Sequence, residues 1–411
     1  MMSIHVTQSM HNLKKIKLFR IILALTYPIS LIFIYPFSAL KKKNSARLFF
    51  FLDRYAIGGA QKVYLDILNS VDDVPKQVYF TRKSSGNDFK KKFYSLPETK
   101  CEDIHVWCDY LLFRIFTVHY YAFYLNRHEP IHVFSSNSTF FFDMLPYLKK
   151  NIVKTELLHN FGYGKGGFEF FGLANYKYLN NRIVVDEFTV ANIKQQYKQY
   201  DIDPEFCKRI RMIEPGVFVA PVLHKDYSVP LKILYAGRGG PQKRVWLLSK
   251  IADYFARERL PVEFHFAGPM IDELPSSVKH YAILHGNISD PEQMNSLYSE
   301  CHVILMTSAY EGFPMLIKEG MAFGCIPIVT ALPGNRMHLS ENSNALLIDI
   351  NIEEPEVIRQ AIEKIKLLLY GPDRLRSLSL HAYSYAKEHF TKSRFVEQYR
   401  GLLLNGIAVH H

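Results

Sequence analysis

The sequence predicts an α/β protein of two doubly wound domains facing a cleft, preceded by an apolar N-terminal segment. Three observations carry this. From residue 47 onward strand-like and helix-like stretches alternate, the order of a parallel sheet covered by helices. The alternation breaks once, at 219–230 (VAPVLHKDYSVP), which has no period and two prolines, and then restarts. A chain of 411 residues is long enough for two or three domains, each with its own core.

The first fifty residues are a separate problem. They hold Lys14, Lys15, Lys17, Arg20, Lys41, Lys42, Lys43 and Arg47 and no acid, so eight of the eleven net positive charges lie here. The excess is local; nucleic acid could use such a segment, but its apolar stretch argues for a membrane instead. Between Arg20 and Lys41 stand twenty uncharged residues, IILALTYPISLIFIYPFSAL. That length suffices to cross a bilayer. Both flanks are basic, however, and one of them would have to cross against the positive-inside tendency. Pro28 also removes a helical hydrogen bond mid-segment. The core is long for a signal peptide, and Ser38-Ala39 is a poor cleavage site. A kinked helix or shallow hairpin lying in the interface is the expectation, both ends cytoplasmic and the lysines on anionic headgroups. A single span is the alternative.

In the first domain, RLFFFLD (47–53) reads as the opening strand, followed by a glycine turn and a helix over 59–68. Further strands are expected at 77–82, 131–135, 154–159, 182–186 and 209–214, with helices near 139–149 and 187–200. After the linker come LKILYAG, VEFHFAG, YAILHG, HVILMTS, IPIVTA and ALLIDI. Such near-continuous apolar runs suit strands buried on both faces. Helices are expected at 243–257, 290–300 and 315–323, and a helical tail over 355–404. Both domains thus read as Rossmann-like. The five cysteines include no CxxC pair, so no zinc site or disulfide framework is expected.

Two segments carry chemistry. In SAYEGFPMLIKEGMAFGCIPIV (308–329), Glu311 falls in the loop after a strand and Glu319 in the helix that follows. Gly312-Phe313-Pro314 leads backbone amides to that helix start, which favours anions. In LYAGRGGPQKRVWLL (234–248), a strand ends at Gly237, and Arg238 and Lys243 follow before a helix. Two cations at such a turn suit a diphosphate leaving group, whose charge grows as its bond breaks. Taken singly, two solvated glutamates and a basic surface loop explain these residues as well. In the first domain Gly58 and Gly59 stand between strand and helix, where a phosphate or acceptor can approach the backbone.

Together these segments resemble the E-x7-E and G-R-x(n)-K-G motifs of retaining GT-B glycosyltransferases of family 4. HGNISDPEQMNSLYSECHVILM (285–306), with Gly286, and RIRMIEPGV (209–217) also look like family segments. The resemblance implies that Glu311 faces the transferred sugar, Glu319 holds the ribose, and Arg238 and Lys243 hold the diphosphate. It also implies donor contacts from Gly237, Gly286, Gly312 and Phe313. Two positions depart from the pattern: Pro314, without an N–H, and Arg244 stand where the family has glycine. An active-site histidine near His159 is similar in these enzymes, although a lone histidine is more often structural. The resemblance implies retention of configuration by front-face attack, with the diphosphate taking the acceptor's proton.

On this reading residues 1–45 associate with a membrane and 46–222 form the acceptor domain. Residues 223–392 form the donor domain and 393–411 a helical tail. The expected co-substrate is a nucleotide-diphosphate sugar, with no cofactor and no metal. The acceptor is a glycan or lipid-linked glycan at the cytoplasmic membrane face, in envelope polysaccharide synthesis. Other readings stay open. A GT-B phosphorylase or nucleotide-sugar epimerase uses a similar cleft. Gly162, Gly164 and Gly167 spell G-x-G-x-x-G, with Asp186 ending the next strand, the fingerprint of an NAD-dependent oxidoreductase. Asp201-Ile202-Asp203 spells a metal–nucleotide D-x-D but reads as a polar turn beside Pro204.

Overall fold

The computed structural model describes residues 2–405, apart from 44, 57, 58, 85, 88, 129, 130, 160, 163–166 and 289, with backbone alone for 2–12. The chain divides into two compact units, residues 1–214 with 395–411, and residues 215–394. The first holds α1 (Met2–Leu40), β1 (Leu48–Leu52), α2 (Gly59–Asn69), β2 (Lys76–Phe80), α3 (Lys90–Tyr94), β3 (Thr99–Asp103), α4 (His105–Asp109) and α5 (Leu111–Leu125). It continues with β4 (His132–Ser136), α6 (Thr139–Met144), β5 (Val153–Leu158), α7 (Phe168–Asn175), β6 (Asn181–Val184), α8 (Glu187–Gln199) and β7 (Ile210–Met212). The second holds β8 (Leu231–Ala236), α9 (Val245–Arg257), β9 (Val262–Ala267), α10 (Ser276–Lys279), β10 (Ile283–Gly286), α11 (Pro291–Glu300), β11 (Val303–Met306) and α12 (Met315–Met321). Then follow β12 (Ile326–Thr330), α13 (Pro333–Arg336), β13 (Leu346–Ile348), α14 (Glu354–Leu369) and α15 (Pro372–His389), before α16 (Lys392–Leu404) runs back into the first unit.

Both sheets are parallel, in the order β3-β2-β1-β4-β5-β6-β7 and β10-β9-β8-β11-β12-β13. Each starts at a central strand, grows to one side, and then resumes on the other, as expected for doubly wound domains. In β1, Leu48, Phe50 and Leu52 pack with Val63, Tyr64 and Ile67 of α2. Phe49 and Phe51 point the other way, to Val118, Tyr121 and Ala122 of α5. A strand with helices on both faces needs apolar residues at every position, hence LFFFL. The edge strand β3, TKCED, has no such run and escapes sequence reading. Helix α5 escapes it too, because its aromatic and β-branched residues disguise the helical period.

The last helix is no free tail. Phe395, Tyr399, Leu402 and Leu403 of α16 join the core beneath β1 and β4. Arg400 pairs with Asp73 at 2.6 Å, and the Leu403 carbonyl meets His132 Nδ1 at 3.1 Å.

The N-terminal segment corrects the expectation of a hairpin. It is one helix that continues through Pro28 and Pro36. Beside Pro28, Tyr27 packs on His119, Phe123 and Tyr147 with ring centroids 5.1–5.6 Å apart. Packing on α5 thus holds the turns on either side of the proline. Arg20, and Lys41 of the lysines assigned to headgroups, serve the fold. Arg20 bonds the Ala174 carbonyl at 2.9 Å and the Asn175 side chain. Lys41 pairs with Glu102 at 3.3 Å and lies within 5.7 Å of the rings of Tyr79, Tyr121 and Tyr124.

Under α7, Arg182 and Glu156 form a buried ion pair at 3.0 Å, and the Glu169 carbonyl accepts from Arg182 at 3.1 Å. Removing the cation strands a buried carboxylate. Arg182→Met is expected to destabilise the protein by about 3–5 kcal/mol, read from the urea midpoint. Adding Glu156→Gln recovers part of that loss; a double variant no better than the single would assign the cost to packing instead.

Candidate active site

In the second unit the chain leaves β8 toward β9 and β10, then returns to the other side of β8 as β11. The loops after β8 and β11 flank this switch, where open α/β sheets bind ligands. The β8 loop carries Gly237, Arg238 and Lys243, and the β11 loop carries Glu311, Gly312 and Phe313. Their backbones are tied: the amide of Ala309 donates to the Gln242 carbonyl at 2.8 Å, and Gln242 Nε2 to the Tyr310 carbonyl at 3.0 Å. Lys243 Nζ forms an ion pair with Glu311 Oε1, both side chains more than four-fifths buried. The side chain of Arg238 is exposed in the same loop.

Glu319 sits in α12, where the Tyr298 hydroxyl donates to its Oε2 at 2.6 Å. Burial and the Glu319 charge raise the Tyr298 pKa far above its ordinary value, so the phenol keeps its proton and orients the carboxylate. The Phe313 ring stacks on His338, centroids 4.4 Å apart, leaving its backbone for a ligand. The Gly312 carbonyl lies 2.1 Å from where a Cβ on Gly334 would stand, so Gly334 admits no side chain. Pro314 caps α12, which has only seven residues. The longer α9, opening just after Lys243 and Arg244, is the stronger dipole facing this switch.

Arg244 explains its own departure from glycine. It holds φ +49° and ψ +48°, a left-handed conformation that glycine adopts freely. Its guanidinium compensates by donating from Nε to the Thr307 carbonyl at 2.5 Å, while Thr307 Oγ1 donates to the Arg244 carbonyl at 3.3 Å. Glycine backbones also stitch the neighbouring strand ends. The Gly237 amide donates to Ala267, and the Gly268 amide to Gly286, at 2.9 and 2.7 Å. Gly268 has φ +112°, and a Cβ there would meet the Gly237 carbonyl at 2.3 Å. Sequence reading missed Gly268, although AGP after a strand marks the turn. It also missed Glu273, whose Oε2 accepts the Gly240 amide at 3.0 Å.

In the first unit, Gly59 opens α2 with nothing within 4 Å of an added Cβ; Gly58 lies outside the described residues. His159 follows β5 directly. Its Nε2 is sealed from solvent and has no hydrogen-bond partner among the described residues. Burial lowers its pKa to about 4, so the ring is neutral near pH 7. It faces Tyr64, centroids 5.6 Å apart. Tyr64 donates to Asp53 at 3.2 Å and accepts from Asn137 at 3.0 Å. Asp53, Tyr64 and Asn137 thus gather where β1 and β4 end, a polar group that no sequence motif signals.

The dinucleotide fingerprint takes another form. Gly164 lies outside the described residues, but Gly162 and Gly167 pack against the Glu169 carboxylate, within 3.2 Å of their Cβ directions. Asp186 caps α8, accepting the Thr189 amide at 2.6 Å. In the D-x-D segment, Asp203 accepts the Glu205 amide at 2.9 Å, a turn.

Two outcomes are expected. Arg244→Gly relieves a backbone cost of about 1 kcal/mol but loses a charge-assisted bond worth about 1.5–3 kcal/mol. A lower melting temperature checks this; a higher one would show that the tether contributes nothing. For His159, the unfolded ring takes up a proton near pH 6.5 that the folded one refuses until about pH 4. Stability therefore falls as pH drops through that window, and His159→Asn flattens the fall in urea midpoint measured against the parent chain.

Residues 224–384 match the family described as Glycosyl transferases group 1. The GtfA subunit of the UDP-N-acetylglucosamine–peptide N-acetylglucosaminyltransferase of Streptococcus pneumoniae serotype 4 is 25% identical over 230 residues, covering 52% of this chain. The chain spans 44% of that relative's length. Among solved structures, Anabaena HepE in complex with UDP superposes with TM-score 0.67 at 13% identity, covering 87% of this chain and all of its own. The lipopolysaccharide outer core galactosyltransferase WaaB gives TM-score 0.64 at 16% identity, over 88% of this chain and 99% of its own. The match falls within the second unit, and the chain's two parallel-sheet α/β domains have the GT-B fold of these neighbours.

Proposed function

We propose that this chain is a retaining hexosyltransferase of family 4 that moves a sugar from a nucleotide-diphosphate sugar, most simply a UDP-sugar, to a glycan or lipid-linked acceptor. The observation that carries the proposal is the Lys243–Glu311 pair, which couples the two loops at the switch of the matched domain. The UDP in the HepE complex supports the choice of nucleotide. Arg238, Lys243 and the N-terminus of α9 neutralise the departing diphosphate, so no metal is assigned. Glu311 faces the transferred sugar, while Glu319, oriented by Tyr298, accepts from the ribose hydroxyls. The backbones of Gly237, Gly286, Gly312 and Phe313 line the donor. In the first domain Gly58 and Gly59 admit substrate to the backbone, and His159, neutral at the end of β5, is the histidine assigned to the sugar.

The work takes place at the cytoplasmic face of a membrane, in envelope polysaccharide synthesis. Support comes from α1, long and apolar enough to meet a bilayer, and from the likeness to WaaB, a lipopolysaccharide enzyme by name.

A panel of nucleotide sugars tests the donor. The true donor present at about a hundred times its Kd stabilises the fold by about 2.7 kcal/mol, seen as a raised melting temperature. Lys243→Ala is expected to lower kcat by about 10²–10³-fold, and Glu319→Gln to act mainly on donor KM. NMR of the product anomer reports retention. Unchanged turnover in Lys243→Ala would sink the assignment.

A further inference from the structure

Helix α1 is apolar around nearly its whole circumference, which ordinarily means burial on all sides. The first unit covers one stripe of it: Ile16, Leu23, Tyr27, Ser30 and Ser38 face inward. On the opposite side Leu18, Ile21, Leu25, Ile32, Phe33 and Phe37 are each more than half exposed. A second bare group stands at the α4–α5 corner, where Trp107, Tyr110 and Leu112 are 54%, 63% and 73% exposed. On α5, Leu112, Phe116, His119 and Phe123 share one stripe by helical spacing. Helix α1 covers the last two through Tyr27, Ser30 and Tyr35. Leu112 and Phe116 continue that stripe beyond these contacts, 73% and 42% exposed.

We infer that the first unit docks on an anionic bilayer through a two-part face, the outward stripe of α1 together with the α4–α5 corner, with α1 lying along the surface and not through it. The inference rests on the membrane reading above and adds its second element, the α4–α5 corner. Charge selects the occupant. Lys14, Lys15 and Lys17 near one end of the stripe, and Lys42 and Lys43 at the other, are exposed, and no acid precedes Asp53. Trp107 and Tyr110 have the apolar body and polar tip that settle at headgroup level. Attachment points fix the orientation. Arg20, Tyr27, Ser30, Ser38 and Lys41 bind α1 to the domain at intervals of at most eight residues. A span needs about 20 consecutive apolar residues within the hydrocarbon core, and these ties hold that stretch along the sheet domain instead.

The chain has two tryptophans, so Trp246→Phe leaves Trp107 as the single reporter. On phosphatidylglycerol vesicles its emission is expected to shift to the blue and to be quenched by acyl-brominated lipid, with little effect from phosphatidylcholine. Leu112→Ser with Phe116→Ser, both surface changes, weakens co-sedimentation about tenfold. If the chain co-sediments while Trp107 emission stays that of an exposed indole, the corner is not part of the face; this proposal fails and membrane attachment stands. Failure to co-sediment at all defeats the membrane reading and this proposal together. A blue shift that grows with protein concentration in the absence of lipid gives the face to a second copy and overturns the proposal.

Discussion

The ion pair between Lys243 and Glu311 sets the terms for the second domain. Adjacent parallel strands deliver their loops to the same end of a sheet, but nothing in strand pairing fixes how far apart those loops stand. Here a charge pair sheltered from solvent, and so weakly screened by salt, does so. The Arg244 side chain and the Ala309–Gln242 backbone bond hold the same two loops from behind. The cation proposed for a phosphate and the carboxylate proposed for a sugar therefore keep a set separation. Arg238, in the same loop without such a tether, is the adjustable partner.

The second domain was the more legible from sequence, for a physical reason. Strands β8, β11 and β12 are buried on both faces and leave unbroken apolar runs. The motifs around Lys243 and Glu311 depend on local spacing, which a sequence displays directly. What stayed hidden depends on distant partners. Asp53, Tyr64 and Asn137 are remote in sequence and meet only because β1 and β4 pair. Pro28 argued for a broken segment because its local cost is visible, whereas the stacking of Tyr27 on Tyr147 is not. Lys41 looked like a headgroup contact because three tyrosines from β2 and α5 cannot be read from its neighbours in the chain.

Glycine patterns were ambiguous for a related reason. G-x-G-x-x-G says that a backbone needs room, not what fills it. At Gly162 and Gly167 the occupant is the protein's own Glu169, seated above the Glu156–Arg182 pair. At Gly268 it is the carbonyl of Gly237. Arg244 shows the converse, an arginine kept where glycine fits best because its side chain fastens one loop to the other.

The return of α16 to the first domain has a temporal consequence. Phe395, Tyr399 and Leu403 complete a core whose first strand is Leu48–Leu52, so that core waits for almost the entire chain to be translated. The second domain, by contrast, is contiguous and can close while α16 is still within the ribosome. The later-encoded domain can therefore close before the earlier one is complete, which leaves the face of β1 and β4 beneath α16 open until that helix emerges.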